Sequence, residues 1–365
     1  MSPADNAPAH VRALAPYQPG KPISELAREL GMPEHAIVKL ASNENPLGAS
    51  PKALAAAQRA LAEVALYPDG SGHALKQALA RRLGVDPCRI VLGNGSNDVL
   101  ELAARVLLTP GTSAVYAQHA FAVYPLATQA CGARGIEVPA QDYGHDLTAM
   151  AAAIAPDTRL VFIANPNNPT GTLAAPEALY AFLRRVPPSV AVVLDEAYVE
   201  YLDPDERAPS LDWLTEFPNL VVTRTFSKAY GLAGLRVGYA LASPEMADLM
   251  NRLRQPFNVN GVALAAAAAA LEDEDFIALS KRVNDAGLRQ LAEGFRRLGL
   301  DFIPSAGNFV CVRVGQAQRI FQALLHKGLI VRPVANYGLP EHLRITVGTE
   351  AQNARLLTAL AEVLA

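Results

Sequence analysis

Cysteine is scarce in this chain: Cys88, Cys131 and Cys311 are the only three among 365 residues. Their number is odd, they lie far apart, and no CxxC pair occurs. That excludes a disulfide framework and a thiolate zinc site, and it fits a reducing compartment. The seven histidines are scattered without HExxH-type spacing, so no metal is expected. Long apolar runs are missing as well. The longest, Val262 to Leu271, is mostly alanine and far short of the ~20 residues a membrane span needs. The first residues lack the basic start and apolar core of a signal peptide, and the expected location is the cytoplasm. Charge of one sign is also lacking. A net charge of -3 gives neither the basic footprint of a nucleic-acid binder nor an electrostatic reason to sit on an anionic membrane.

What is present is core material. With 51% hydrophobic and 18% charged residues the chain is globular, and its length suggests two domains. Residues 1 to 20 are rich in Pro and Ala and read as an arm. Ser24 to Leu30 reads as a short helix with Ser24 as N-cap and Gly31 as its stop. A punctuated loop, Lys39 to Ser50, precedes an alanine-rich helix over Lys52 to Ala65. Apolar runs then alternate with helical stretches: Ile90 to Leu92, Ser113 to Tyr116, Leu160 to Ala164, Ala191 to Leu194 and Leu220 to Thr223. Continuous apolar strands between helices predict an α/β fold, a mostly parallel sheet covered by helices on both faces. From Pro244 the texture becomes α+β. Helices are expected at Pro244 to Leu253, Gly261 to Leu271, Phe276 to Leu298 and Ala317 to Lys327, with strands at Phe309 to Val314 and Leu343 to Val347. The expected layout is an arm over 1–36 that shares the small domain, a large domain over 37–250, and a small C-terminal domain over 251–365.

Ligands of open α/β sheets bind beyond the carboxyl ends of the strands. Four such ends carry unusual polar residues. Gly95-Ser96-Asn97 opens a helix and can form an anion site, or an ordinary capped turn. Asn165 to Gly171 is a rigid Pro/Asn loop or a structural turn. Asp195, before Glu196-Ala197-Tyr198, is a carboxylate in an apolar setting that needs a cationic partner, or else a helix cap. Thr225-Phe226-Ser227-Lys228 places a lysine where desolvation would free its amine as a nucleophile, with Arg236 able to reach the same anion as Ser227. An anion nest, an amide, a buried carboxylate with a nearby phenol, and an amine together suit pyridoxal 5'-phosphate.

Those segments, with Leu343 to Thr349, resemble the fold type I pyridoxal-phosphate aminotransferases over essentially the whole chain. Lys39 to Pro46, Tyr67 to Gly70 and the Arg344 segment resemble the histidinol-phosphate subfamily in particular. The resemblance implies that Lys228 carries the cofactor and shuttles the proton, and that Asp195 pairs with its ring nitrogen. Tyr198 and Asn168 would bond its phenolic oxygen. Gly95, Ser96, Asn97, Thr225, Ser227 and Arg236 would form the phosphate cup. Phe121 would stack on the ring, without the hydroxyl that many relatives carry there. Tyr67 would reach the cofactor of a neighbouring subunit, which implies a homodimer with shared sites. Arg344 would hold a carboxylate, and Arg332, which also ends an apolar run, would join it as an anion clamp. Tyr17 and Asn45 would lie in the segment that closes over substrate. The implied reaction is transamination of L-histidinol phosphate with 2-oxoglutarate, with an aromatic-amino-acid aminotransferase as the alternative. A phosphothreonine-type decarboxylase and a DNA-binding regulator built on the same fold rank behind these.

Overall fold

The computed structural model describes residues 2–365. Its centre is a seven-stranded sheet in the order Ile90–Gly93, Gly238–Leu241, Leu220–Thr225, Ala191–Asp195, Thr158–Ala164, Ser113–Ala117, Arg134–Val138. Only Gly238–Leu241 runs antiparallel to its neighbours. Strand side chains alternate between faces. Leu160, Phe162 and Ala164 accordingly enter one apolar cluster, and Val161 and Ile163 enter the other. Both faces are covered by helices, which explains why these strands read as unbroken apolar runs. Two strands escape the sequence reading. Arg134–Val138 is an edge strand whose side chains are mostly exposed, and Gly238–Leu241 is only four residues long.

A second, four-stranded antiparallel sheet is ordered Arg332–Val334, Leu339–Thr346, Phe309–Arg313, Phe302–Ile303. The helices Glu274–Arg297, Ala317–His326 and Glu350–Leu364 pack on it around Leu291, Phe295, Ile320 and Leu356. Val38–Lys39 pairs in parallel with Leu329–Ile330 and so ties the N-terminal segment to this smaller unit. The helix Gly261–Ala270 lies on the other side of the expected boundary at residue 250. Its alanines allow close approach to the helices Pro51–Ala60 and His73–Leu83, and Ala263, Ala266 and Ala267 sit in the core of the large sheet. The change of core therefore falls after this helix.

Local ends also differ from expectation. The first long helix begins at Ile23, behind Pro22, and Ser24 makes no cap, although Gly31 closes it at φ 63°. The next helix is Pro51–Ala60, where Ser50 Oγ accepts from the Ala53 N–H, and it tightens into a short 3-10 turn at Leu61–Glu63. Among the described residues, no helix is long and apolar enough to cross a membrane.

Candidate active site

Five parallel strands of the large sheet, all but the edge strand Arg134–Val138, deliver their carboxyl ends to one crevice, closed from above by the smaller sheet and the N-terminal segment. The crevice holds a cavity of about 260 Å³. Of the residues expected from sequence, it is lined by Tyr17, Ser96, Asn97, Phe121, Asn168, Asp195, Tyr198, Thr225, Ser227, Lys228, Arg236, Arg332 and Arg344.

Asp195 ends its strand at 5% exposure. The Tyr124 hydroxyl donates to Oδ2 at 2.8 Å and the Thr223 hydroxyl to Oδ1 at 3.0 Å. Burial raises the carboxyl from 3.8 to about 6, although these hydroxyls pull it back down. A carboxyl raised on folding takes up a proton, so its charge costs stability above the folded value and nothing below the unfolded one. In the cofactor-free chain, Asp195→Asn is therefore expected to add about 3 kcal/mol at about pH 8. Thermal melts should show a gain of several degrees that disappears toward about pH 4. Equal melting points at the alkaline end would contradict this.

Lys228 Nζ donates to the Ser42 carbonyl at 3.1 Å and lies 6.0 Å from the centre of the Tyr198 ring. Burial, followed by the nearby Arg344 guanidinium, lowers the amine from 10.5 to about 8. A fraction is thus uncharged near neutrality, which is what a nucleophile and proton carrier needs. Tyr198 is pushed up to about 12 by burial, so it remains a hydroxyl; it accepts from Asn43 Nδ2 at 2.9 Å.

At the opposite wall, Ser96 and Asn97 begin the helix Ser96–Leu107. Gly95 does not line the cavity. Its φ of 80° turns the chain into the helix, and a Cβ there would lie 2.3 Å from Arg236 Nη2. Glycine therefore leaves room for the guanidinium against the helix N-terminus. Arg236 donates through Nη1 to Ser227 Oγ at 3.3 Å. Backbone N–H groups, hydroxyls and a guanidinium converge here on a space suited to a phosphate.

Arg332 and Arg344 face each other directly across neighbouring antiparallel strands, at 8% and 7% exposure. Like charges placed so are unfavourable, and more so when desolvated. Their bonds within the chain go to neutral oxygens. Arg344 donates to Asn168 Oδ1 and to the Ala41 carbonyl, both at 2.7 Å, while its buried Nε has no partner. Arg332 donates to the Gln18 carbonyl and lies over the Tyr17 ring.

Two expected residues are elsewhere. The Asn45 amide is used up on the Ala229 carbonyl and Ser280 Oγ, each at 2.9 Å, so it anchors the loop and does not reach the crevice. Tyr67 is 83% exposed and stacks on Phe257 outside the crevice of its own chain. Conversely, the sequence reading missed Asn43, Tyr124 and Thr223. Thr223 closes its apolar run as Asp195 closes the neighbouring one, and the parallel register makes the two partners.

A lysine, a buried acid, a helix N-terminus with a guanidinium beside it and two buried arginines thus meet at one crevice. The chain belongs to the class I and II aminotransferases, whose family model (Aminotransferase class I and II) matches residues 35–360. It is 64% identical to histidinol-phosphate aminotransferase 1 of Thiobacillus denitrificans over 99% of this chain and 94% of that protein. It is 61% identical to the histidinol-phosphate aminotransferase of Methylobacillus flagellatus, over 99% of this chain and 98% of that one. The crystal structure of histidinol-phosphate aminotransferase from Sinorhizobium meliloti in complex with pyridoxal-5'-phosphate superimposes with a TM-score of 0.90. That chain is 31% identical, and the match covers 98% of this chain and 97% of that one.

Proposed function

We propose that this crevice binds pyridoxal 5'-phosphate and transfers the amino group of L-histidinol phosphate to 2-oxoglutarate, giving imidazole acetol phosphate and L-glutamate for histidine biosynthesis. The donor set fits the cofactor. The cup at Ser96, Asn97, Thr225, Ser227 and Arg236 suits its phosphate, and Asp195 suits its ring nitrogen. Tyr198 and the Asn168 Nδ2 suit its phenolic oxygen, because Asn168 Oδ1 is already taken by Arg344. Bound there, the cofactor supplies an electron sink for a carbon that loses its proton.

The chain's own groups do the rest. Lys228 Nζ, lowered to about 8, takes the proton from the substrate carbon and returns it on the other side of the exchange. Phe121 gives an apolar surface against which a planar ring can lie. The observation that carries the substrate reading is the buried Arg332–Arg344 pair, which has no carboxylate partner among the described residues. Such a pair accepts a dianionic phosphate ester in one half-reaction and a dicarboxylate in the other. Phenylalanine brings to it only a monoanionic α-carboxylate in place of a phosphate dianion, and the relatives above support the phosphate ester. The test is a single turnover: holoenzyme mixed with histidinol phosphate should release about one equivalent of imidazole acetol phosphate per site before any 2-oxoglutarate is added. No product under these conditions would sink the proposal.

The assembly proposed is a homodimer with Tyr67 reaching the partner's cofactor. Leu61, Val64, Leu66 and Tyr67 are 54%, 74%, 71% and 83% exposed in one neighbourhood, an apolar patch that a second copy would cover. Sedimentation should give one species at twice 38.7 kDa; a monomer at micromolar concentration would contradict it. The three unpaired cysteines support a cytoplasmic site of action, which fractionation of the source cell would check.

A further inference from the structure

Tyr124 belongs to none of the roles assigned above, yet it is the most deeply placed polar side chain at the crevice. It is 0% exposed on the helix Val123–Ala130. Its ring is stacked on Phe162 at 4.7 Å between centroids and 4° between planes, and it meets the edge of Phe121 at 5.9 Å and 84°. These two contacts fix the ring, and with it the direction of the hydroxyl. That hydroxyl ends 2.8 Å from Asp195 Oδ2. Thr223, from the neighbouring strand, supplies the matching hydroxyl to Oδ1 at 3.0 Å. Each carboxylate oxygen thus receives one hydroxyl, the Ala197 backbone N–H adds to them, and no cation among the described residues pairs with Asp195.

We propose that Tyr124 is a positioning residue for the reaction: its hydroxyl, with that of Thr223, holds Asp195 as an ionised carboxylate turned to the crevice, so that the proton shared with a cofactor ring nitrogen stays on the nitrogen. The inference rests on the cofactor reading of the preceding subsection. The physical reason is an imbalance at Asp195. Burial alone favours the neutral acid, and a neutral acid would leave the ring nitrogen unprotonated and the electron sink weak. Two hydroxyl donors stabilise the anion instead, because hydrogen bonds to a charged acceptor are about twice as strong as neutral ones. Tyr124 is itself held far from ionisation by burial and by the neighbouring carboxylate, so it remains a donor throughout.

The test places nitrogen-15 in the cofactor ring and reads its resonance in the holoenzyme at neutral pH. The wild type should give a pyridinium signal. Tyr124→Phe keeps both ring contacts and removes only the hydroxyl. It should move the signal toward neutral pyridine, by about tenfold or more in the protonation ratio, and lower kcat while KM stays within about twofold. Thr223→Val, which keeps the shape of the side chain, should act in the same direction and serves if the tyrosine variant folds poorly. Asp195→Asn sets the neutral end of the scale. If Asp195→Asn moves the signal but neither Tyr124→Phe nor Thr223→Val does, the positioning role is wrong and the cofactor reading stands. If Asp195→Asn leaves the signal at pyridinium, the pairing of Asp195 with the ring is itself wrong.

Discussion

Lys228→Ala is expected to lower transamination by about four orders of magnitude or more. General acid–base catalysis by a placed side chain contributes up to about 10⁴-fold, and loss of a nucleophile adds to that. No other amine stands in its place. The side chain is held by the Ser42 carbonyl at 3.1 Å, and burial with the Arg344 charge sets its pKa at about 8. Lys228 is the one lysine among the residues that line the crevice. The variant should still fold and bind cofactor through Asp195, the cup and Tyr198, because none of those contacts passes through Nζ. Borohydride treatment followed by intact-mass measurement gives an independent reading. The wild type should retain the cofactor mass and the variant should lose it on denaturation. Turnover above about one per cent of wild type would contradict the role given to Lys228.

Arg344→Ala is expected to lower kcat/KM for 2-oxoglutarate by about 10³-fold. Removing one member of a buried, hydrogen-bonded charge contact costs 2–5 kcal/mol in comparable cases, and about 4 kcal/mol corresponds to that factor. The loss is concentrated because Arg344 does three things at once. It donates to Asn168 Oδ1, donates to the Ala41 carbonyl, and keeps a buried Nε–H without a partner among the described residues. Alanine would also leave the Asn168 oxygen without its donor, so the amide that faces the cofactor loses its fixed orientation. Arg344→Lys should recover part of the affinity and none of the fork geometry, because an ammonium group is a point charge. Steady-state kinetics with varied 2-oxoglutarate provides the measurement. An alanine variant within about tenfold of wild type would show that the carboxylate binds elsewhere.

Most of the fold was legible because the strands are buried on both faces, and burial writes itself as continuous apolar sequence. Thr158–Ala164 and Ala191–Asp195 are of this kind. Arg134–Val138 was hidden for the opposite reason: at the sheet edge its side chains face water and its composition is that of a loop. The alanine helix Gly261–Ala270 was visible as a helix but not in its placement, since a helix apolar on all sides does not say which neighbour it meets.

The site was legible where a strand ends, because a strand end fixes direction. Asp195, Lys228 and Asn168 were found that way. Tyr124 was not, since it sits in an apolar helix and its hydroxyl target is 71 positions away in sequence. Asn43 and Asn45 show the limit most clearly. They flank Glu44 and look equivalent, but Asn43 adopts φ 55° and turns its amide to Tyr198, while Asn45 turns to Ser280. Sequence spacing alone does not record that reversal.

In the proposed reading the Arg332–Arg344 pair makes this crevice an acceptor of a phosphate ester amine. It is tested most directly by kcat/KM for L-histidinol phosphate against L-phenylalanine, with 2-oxoglutarate as common acceptor. The phosphate ester should be favoured by about 10²-fold or more, or ~3 kcal/mol, because its dianion can engage both guanidinium groups more fully than the single charge of the phenylalanine carboxylate. Equal values, or a preference for phenylalanine, would contradict it.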